Sequence, residues 1–209
     1  MIKTQIPKAE SLILKNGVFV ERKFWTIPKL VCTFCLISIL SCTYSPIEDV
    51  AIIPEPPTQQ QIQENKFSEY IQKQNKNISE DDVINIVRST LKWANHFKLD
   101  PNLLIAIQQV ESGFNKFSIS SGGALGVMQM IPSWHLDKLK TATKELGSPE
   151  LFDPNVNIYV GAWVLKDCMK KFGSQTNYLR CYSGSNSLPN GYEDKVKASL
   201  YNIKKYVSV

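Results

Sequence analysis

Histidine is nearly missing from this chain. The 209 residues contain two, His96 and His135, far apart and with no paired-cysteine motif beside either. A zinc site built from Cys and His at ligand spacing is therefore not expected, and no other metal or cofactor is implied. A phosphate loop is missing as well, because "GSNSLPNG" (184–191) lacks the closing Lys-Ser/Thr that cradles a nucleotide. Dense basic blocks are lacking too: 24 Lys and Arg against 19 Asp and Glu give a net charge of +5, but the lysines are spread out. That pattern argues against nucleic acid as a partner. Strand signals are few. Between residues 112 and 135 there is no acidic residue at all.

Long apolar runs are also wanting. "LVCTFCLISIL" covers residues 30–40, well short of the ~20 residues a helix needs to cross a bilayer. Arg22, Lys23 and Lys29 precede it and "SCTYSP" follows, which has the shape of an export signal over residues 1–41. "ILSC" ending at Cys42 resembles a bacterial lipoprotein processing box, although Leu40 is bulky where a small residue is usual. The expectation is lipid on Cys42, export to the periplasm and anchoring to the outer membrane. A plain signal or an uncleaved anchor is the alternative. Of the five cysteines, only Cys168 and Cys181 would then remain in the exported domain. They lie about equally far from a turn near Gly173 and Ser174, so a helical hairpin would set them side by side for a disulfide.

A hydrophobic fraction of 43% is enough to build a core in one domain. Residues 42–77, with "IIPEPPTQQQIQENK", are rich in Pro and Gln and read as a flexible linker. From Ser79 the texture changes. "SEDDVINIVRSTLKWANHF" has a Ser79 cap, an acidic first turn and apolar residues at helical spacing. Asp100-Pro101 opens a second, nearly all-apolar helix, Asp153-Pro154 a third running to about Phe172, and Glu193 to Val207 forms a last one. An all-α domain over 78–209 is expected, with a long, functional loop between Ser112 and Gly126.

Glu111 stands at the end of the apolar second helix, where the helix dipole disfavours a negative charge. Val110, Phe114, Met128 and Met130 flank it in sequence and imply partial dehydration, which also favours the protonated form. A carboxyl still protonated near neutral pH is what a general acid needs. The plain alternative is a helix-end glutamate paired with Lys116.

The neighbourhood narrows the choice. "ESGFN" (111–115), Ser120, and "GGALGVMQMIP" (122–132) closely resemble the signature of the soluble lytic transglycosylase domain family. The resemblance continues through "NVNIYVGAWVL" (155–165), "CYSGS" (181–185) and "GYEDKV" (191–196), in the family's order and over nearly all of 95–205. It implies a lysozyme-like α fold that cleaves the β-1,4 bond between N-acetylmuramic acid and N-acetylglucosamine in peptidoglycan glycan strands. Glu111 would protonate the leaving oxygen and then take the proton of the muramoyl O6 hydroxyl, closing a 1,6-anhydro sugar. An internal nucleophile already in place can replace a positioned water.

By the same resemblance Ser120 would contact the sugars, Gln129 would line the cleft, Met128 would lie against a sugar face, and the Tyr182 hydroxyl would reach toward the acid. Gly122, Gly123 and Gly126 would permit tight turns. Val164 stands where the family often has tyrosine and Ser183 where it has asparagine, which puts subsite contacts in doubt more than the acid. Two alternatives stay open. One is a muramidase on the same fold, which would need a second carboxylate such as Asp137 or Asp153 about 6.5–9.5 Å from the first. The other is a wall-binding scaffold without catalysis.

Overall fold

The structure is a computed structural model that describes residues 14–15, 18–19, 56–184 and 191–208. The chain divides into two units, Met1–Ile52 and Ile53–Val209. In the first, β1 (Leu14–Lys15) and β2 (Val18–Phe19) pair antiparallel, with Leu14 opposite Phe19 and Lys15 opposite Val18. The apolar run 30–40 and Cys42 lie outside the described residues.

The second unit is all-α. Its helices are α1 (Gln59–Gln74), α2 (Glu80–Phe97), α3 (Pro101–Ser112), α4 (Leu136–Leu146), α5 (Pro154–Lys171), α6 (Gln175–Ser183) and α7 (Tyr192–Val207). A 3-10 turn, Pro132–Trp134, precedes α4. The expected starts follow from capping chemistry. Ser79 accepts from the Asp82 amide, Asp100 from Asn102 and Asp153 from Asn155, with Pro101 and Pro154 at first positions where no amide hydrogen is needed. Leu103 to Gln108 are all buried, so α3 runs through the middle of the core. It packs against α2 and α7, while α5 packs against α2, α4 and α6.

One expectation is overturned. Part of the proposed linker, residues 59–74, is a helix belonging to the domain. Thr58 and Gln61 form a reciprocal capping box, the Thr58 amide donating to Gln61 Oε1 at 2.7 Å and the Gln61 amide to Thr58 Oγ1 at 3.2 Å. Phe67, Tyr70 and Ile71 are buried, an i, i+3, i+4 stripe laid against α2 and α7. Glutamine covers the outer face and conceals this stripe, because three apolar residues give little signal until a partner surface exists. The Tyr70 hydroxyl donates to Gln109 Oε1 at 2.9 Å, and Ser199 donates to the same oxygen at 2.6 Å, so α1, α3 and α7 meet at one amide. α4 was likewise not foreseen, its apolar face being short, with Leu139 and Ala142 buried.

Asn157 of α5 ties the long loop to the helices. It is fully buried. Its Oδ1 accepts from the Met128 amide at 2.7 Å, and its Nδ2 donates to Leu125 O and Leu151 O, both at 2.9 Å. A Cβ at Gly126 would collide with Nδ2 and with Leu151 O, and the residue's φ of +76° is a second reason for glycine there. Cys168 and Cys181 are joined by a disulfide, Cα to Cα 5.7 Å, linking α5 to α6. In the loop-entropy model such a link contributes about 3 kcal/mol.

If α1 belongs to the core, Phe67→Ala should destabilise the domain by about 3–5 kcal/mol in denaturant unfolding. A loss below about 0.5 kcal/mol would return residues 59–74 to the status of a linker.

Candidate active site

Glu111 occupies the last turn of α3, which Gly113 ends in the left-handed conformation at φ +58°. Its Oε1 accepts a 2.7 Å hydrogen bond from the Tyr192 hydroxyl at the first position of α7. Burial pushes the Glu111 carboxyl up to about 7, and the Tyr192 hydrogen bond opposes that rise without cancelling it. No second acid contributes to this shift among the described residues. Lys116, the alternative partner, pairs instead with Asp82 at 2.6 Å. Tyr192 is itself raised far above the usual phenol range, first by burial and then by the Glu111 charge, so its hydroxyl stays protonated and available as a donor.

The loop that faces this carboxyl is held by its own backbone and by polar side chains. Leu125 bridges both Ile119 and Met130. Ser112 Oγ donates to Val127 O at 2.9 Å, joining the residue after Glu111 to the returning strand. Phe114 (φ +69°) and Gln129 (φ +52°) sit in the left-handed region, where a side chain costs about 1–2 kcal/mol. Phe114 is fixed there by complete burial. Gln129 is fixed by its Nε2, which donates to Ser118 O at 3.2 Å and Gly126 O at 3.0 Å.

These contacts revise several sequence expectations. Met128 is 0% exposed and has no face for a sugar; its part is a backbone one, the amide on Asn157 and the carbonyl on Tyr182. Tyr182 is buried and donates to Met128 O at 3.0 Å, so it does not hydrogen-bond the acid. It lies near enough for the Glu111 charge to raise its pKa further, after burial. Gln129 fastens the loop, and Ser120 is exposed with Oγ accepting from the Ala124 amide at 3.0 Å. A hydroxyl used as acceptor keeps its own hydrogen for a ligand. Asp137 is exposed beside Lys138, and Asp153 caps α5.

Two residues of consequence were not singled out in the sequence. Tyr192 fell just before the expected helix start at Glu193, and only its place in "GYEDKV" could have marked it. Asn157 was hidden inside an apolar helix motif. Glu193, next to Tyr192, is closed off by Arg180, whose Nε donates at 2.7 Å and holds its carboxyl below the usual range. Among the described residues no three His, Cys, Asp or Glu side chains converge as a metal site would require.

Comparison with known proteins points to the same segment. The family described as "Transglycosylase SLT domain" matches residues 88–201, which contain Glu111, the loop, Asn157, Tyr182 and Tyr192. A "Transglycosylase" of Enterobacteria phage PRD1 is 33% identical over 94 residues, 45% of this chain and 32% of that protein. "Membrane-bound lytic murein transglycosylase E" of Buchnera aphidicola is 34% identical over 102 residues, 44% of this chain and 46% of the relative. "Membrane-bound lytic murein transglycosylase C" of Mannheimia succiniciproducens is 36% identical over 77 residues, 34% of this chain and 22% of the relative. The chain therefore spans less than half the length of each of these relatives. Because the matched family covers more than half of its residues and includes every element around Glu111, this chain belongs to the transglycosylase SLT domain family.

Proposed function

We propose that the protein is a peptidoglycan lytic transglycosylase that cuts between N-acetylmuramic acid and N-acetylglucosamine and leaves a 1,6-anhydromuramoyl end. The observation that carries this reading is Glu111: a carboxyl lifted to about 7 by burial, touched by one neutral donor and by no second acid among the described residues. The word "murein" in the names of two relatives supports the same substrate.

Because Tyr192 donates to Oε1, the carboxyl's own proton is carried on Oε2. Oε2 gives that proton to the glycosidic oxygen as the bond from C1 breaks, and an oxocarbenium-like centre forms on the muramoyl ring. The substrate's N-acetyl group stabilises that centre. Glu111, now a carboxylate, accepts the proton of the O6 hydroxyl as O6 bonds to C1, and the enzyme returns to its starting state. Tyr192 holds the carboxyl in place through both proton transfers. It also offsets the charge that the dry pocket and the helix end disfavour. Ser120 and Gln129 belong to the wall on which the sugars lie.

The muramidase alternative differs by one water, so released fragments would be about 18 Da heavier than the anhydro products. In this reading the protein is also exported and held to the envelope by lipid on Cys42. The signal-like residues 22–42 support this, as do the words "membrane-bound" in two relatives' names. Among the described residues no helix is long and apolar enough to cross a membrane.

Glu111→Gln should lower release of anhydro fragments from purified sacculi by about a thousandfold, read by mass spectrometry. The same variant should melt at a higher temperature than the parent at pH 8. A raised carboxyl pKa means that stability is lost as pH climbs through the window between the usual value and about 7, and an amide cannot ionise. Undiminished cleavage would end the catalytic reading.

Activity should fall as pH rises through about 7, the acid form being required. Tyr192→Phe removes a contact that lowers the Glu111 pKa, so this limb should move to higher pH while the maximal rate drops. A limb that stays in place would remove Tyr192 from the mechanism. Cys42→Ser should shift the protein from the membrane to the soluble envelope fraction; retention in the membrane would exclude the lipid anchor.

A further inference from the structure

The geometry points to Trp134 as an aromatic platform for one pyranose ring of the glycan strand, on the surface beside the turn 182–184. This rests on the peptidoglycan-cleaving reading above and adds a subsite to it.

Trp134 closes the 3-10 turn Pro132–Trp134, just after the loop residues Met128 and Met130. Its side chain is 65% exposed, whereas Trp93 is buried with its indole N–H donating to Asn155, and Trp163 packs among Phe97 and Tyr159. Leaving an indole in water gives up the stabilisation of burial, and ligand sites are commonly lined by apolar and aromatic faces of this kind.

The ring also has a close neighbour on one edge. Its edge meets Gly184, where a Cβ would sit 3.1 Å from Cζ3 and 3.7 Å from Cη2. Glycine at 184, with φ +66°, caps α6 and lets the indole approach. Two residues earlier, Tyr182 holds the Met128 carbonyl at 3.0 Å. The segment 128–134 and the turn 182–184 are thus clasped at two points, and one clasp, Tyr182, lies within the field of Glu111. Gly184 and Tyr182 thus link the exposed indole to the surroundings of Glu111.

A pyranose suits that surface. Its axial C–H bonds make a flat apolar face with slight positive charge, which complements the negative face of an indole. A charged ligand finds less there, since the nearby Lys138 is already engaged by Asp137 at 3.4 Å and Asp167 at 3.1 Å.

The test uses the Glu111→Gln chain, with the tetramer of β-1,4 N-acetylglucosamine as probe and isothermal calorimetry as readout. Adding Trp134→Ala should weaken Kd about tenfold, equivalent to about 1.4 kcal/mol, and Trp134→Phe should recover part of the loss. With Glu111 intact, Trp134→Ala should raise KM for soluble, peptide-free glycan strands about tenfold and leave kcat within about twofold. Unchanged Kd and KM overturn the platform. So does Trp134-dependent binding to phosphatidylglycerol vesicles with no change in sugar affinity, which would make the residue a membrane contact. If Glu111→Gln abolishes cleavage while Trp134→Ala leaves Kd unaltered, only the platform falls. If Glu111→Gln still cleaves, the functional reading beneath it falls instead.

Discussion

A carboxyl that keeps its proton near neutrality has to be taken out of water, and here the removal depends on α7 closing over the end of α3. Glu111 sits where helix carbonyls already disfavour negative charge, and the start of α7 sets the Tyr192 hydroxyl 2.7 Å from its Oε1. Burial outweighs the hydrogen bond, since the net result is a carboxyl raised to about 7. A fully satisfied carboxylate would be more stable and less able to give up a proton. The fold tolerates this because α3 is otherwise apolar and central, with Leu103 to Ile107 buried on all sides.

The segment between Ser112 and Met130 is an irregular loop, and its own backbone bonds, among them the pair between Leu125 and Met130, are reinforced by side chains. Asn157 supplies three hydrogen bonds from within α5, Gln129 supplies two to loop carbonyls, and Tyr182 takes the Met128 carbonyl. Side-chain amides used in this way add to the loop's own short backbone bridges. The disulfide between Cys168 and Cys181 adds a covalent tie one residue from Tyr182, so α6 cannot drift from α5 without moving that tyrosine. Polar side chains here thus do much of their work on the loop.

The case for a single-carboxylate mechanism grows from the same arrangement. Asp137 is exposed with Lys138, Asp153 caps α5 and Glu193 is paired with Arg180, so each acid considered for a second role has another engagement. On the proposed reading, an internal hydroxyl of the substrate would take the place of a water activated by a second acid.

Helix starts were legible because their causes are local. A capping side chain reaches an amide two or three residues on, and Ser79, Asp100-Pro101 and Asp153-Pro154 each mark a helix that forms. Glu111 was singled out through the order of short motifs around it, and those motifs lie within the matched family segment. Residues 59–74 were misread because three apolar side chains among glutamines mean little until α2 and α7 supply a surface. The tyrosine that meets the acid was out of reach for another reason: Tyr182 and Tyr192 are equivalent as residue types, and the choice between them depends on how α7 crosses α3, over an 81-residue separation. Whether Met128 faced a sugar or the core was likewise a matter of packing. Amino-acid order alone marked the capped helix starts and the family's motifs, since these rest on neighbours along the chain. Tertiary structure decided which side chain touches which, because that depends on surfaces created only when distant helices meet.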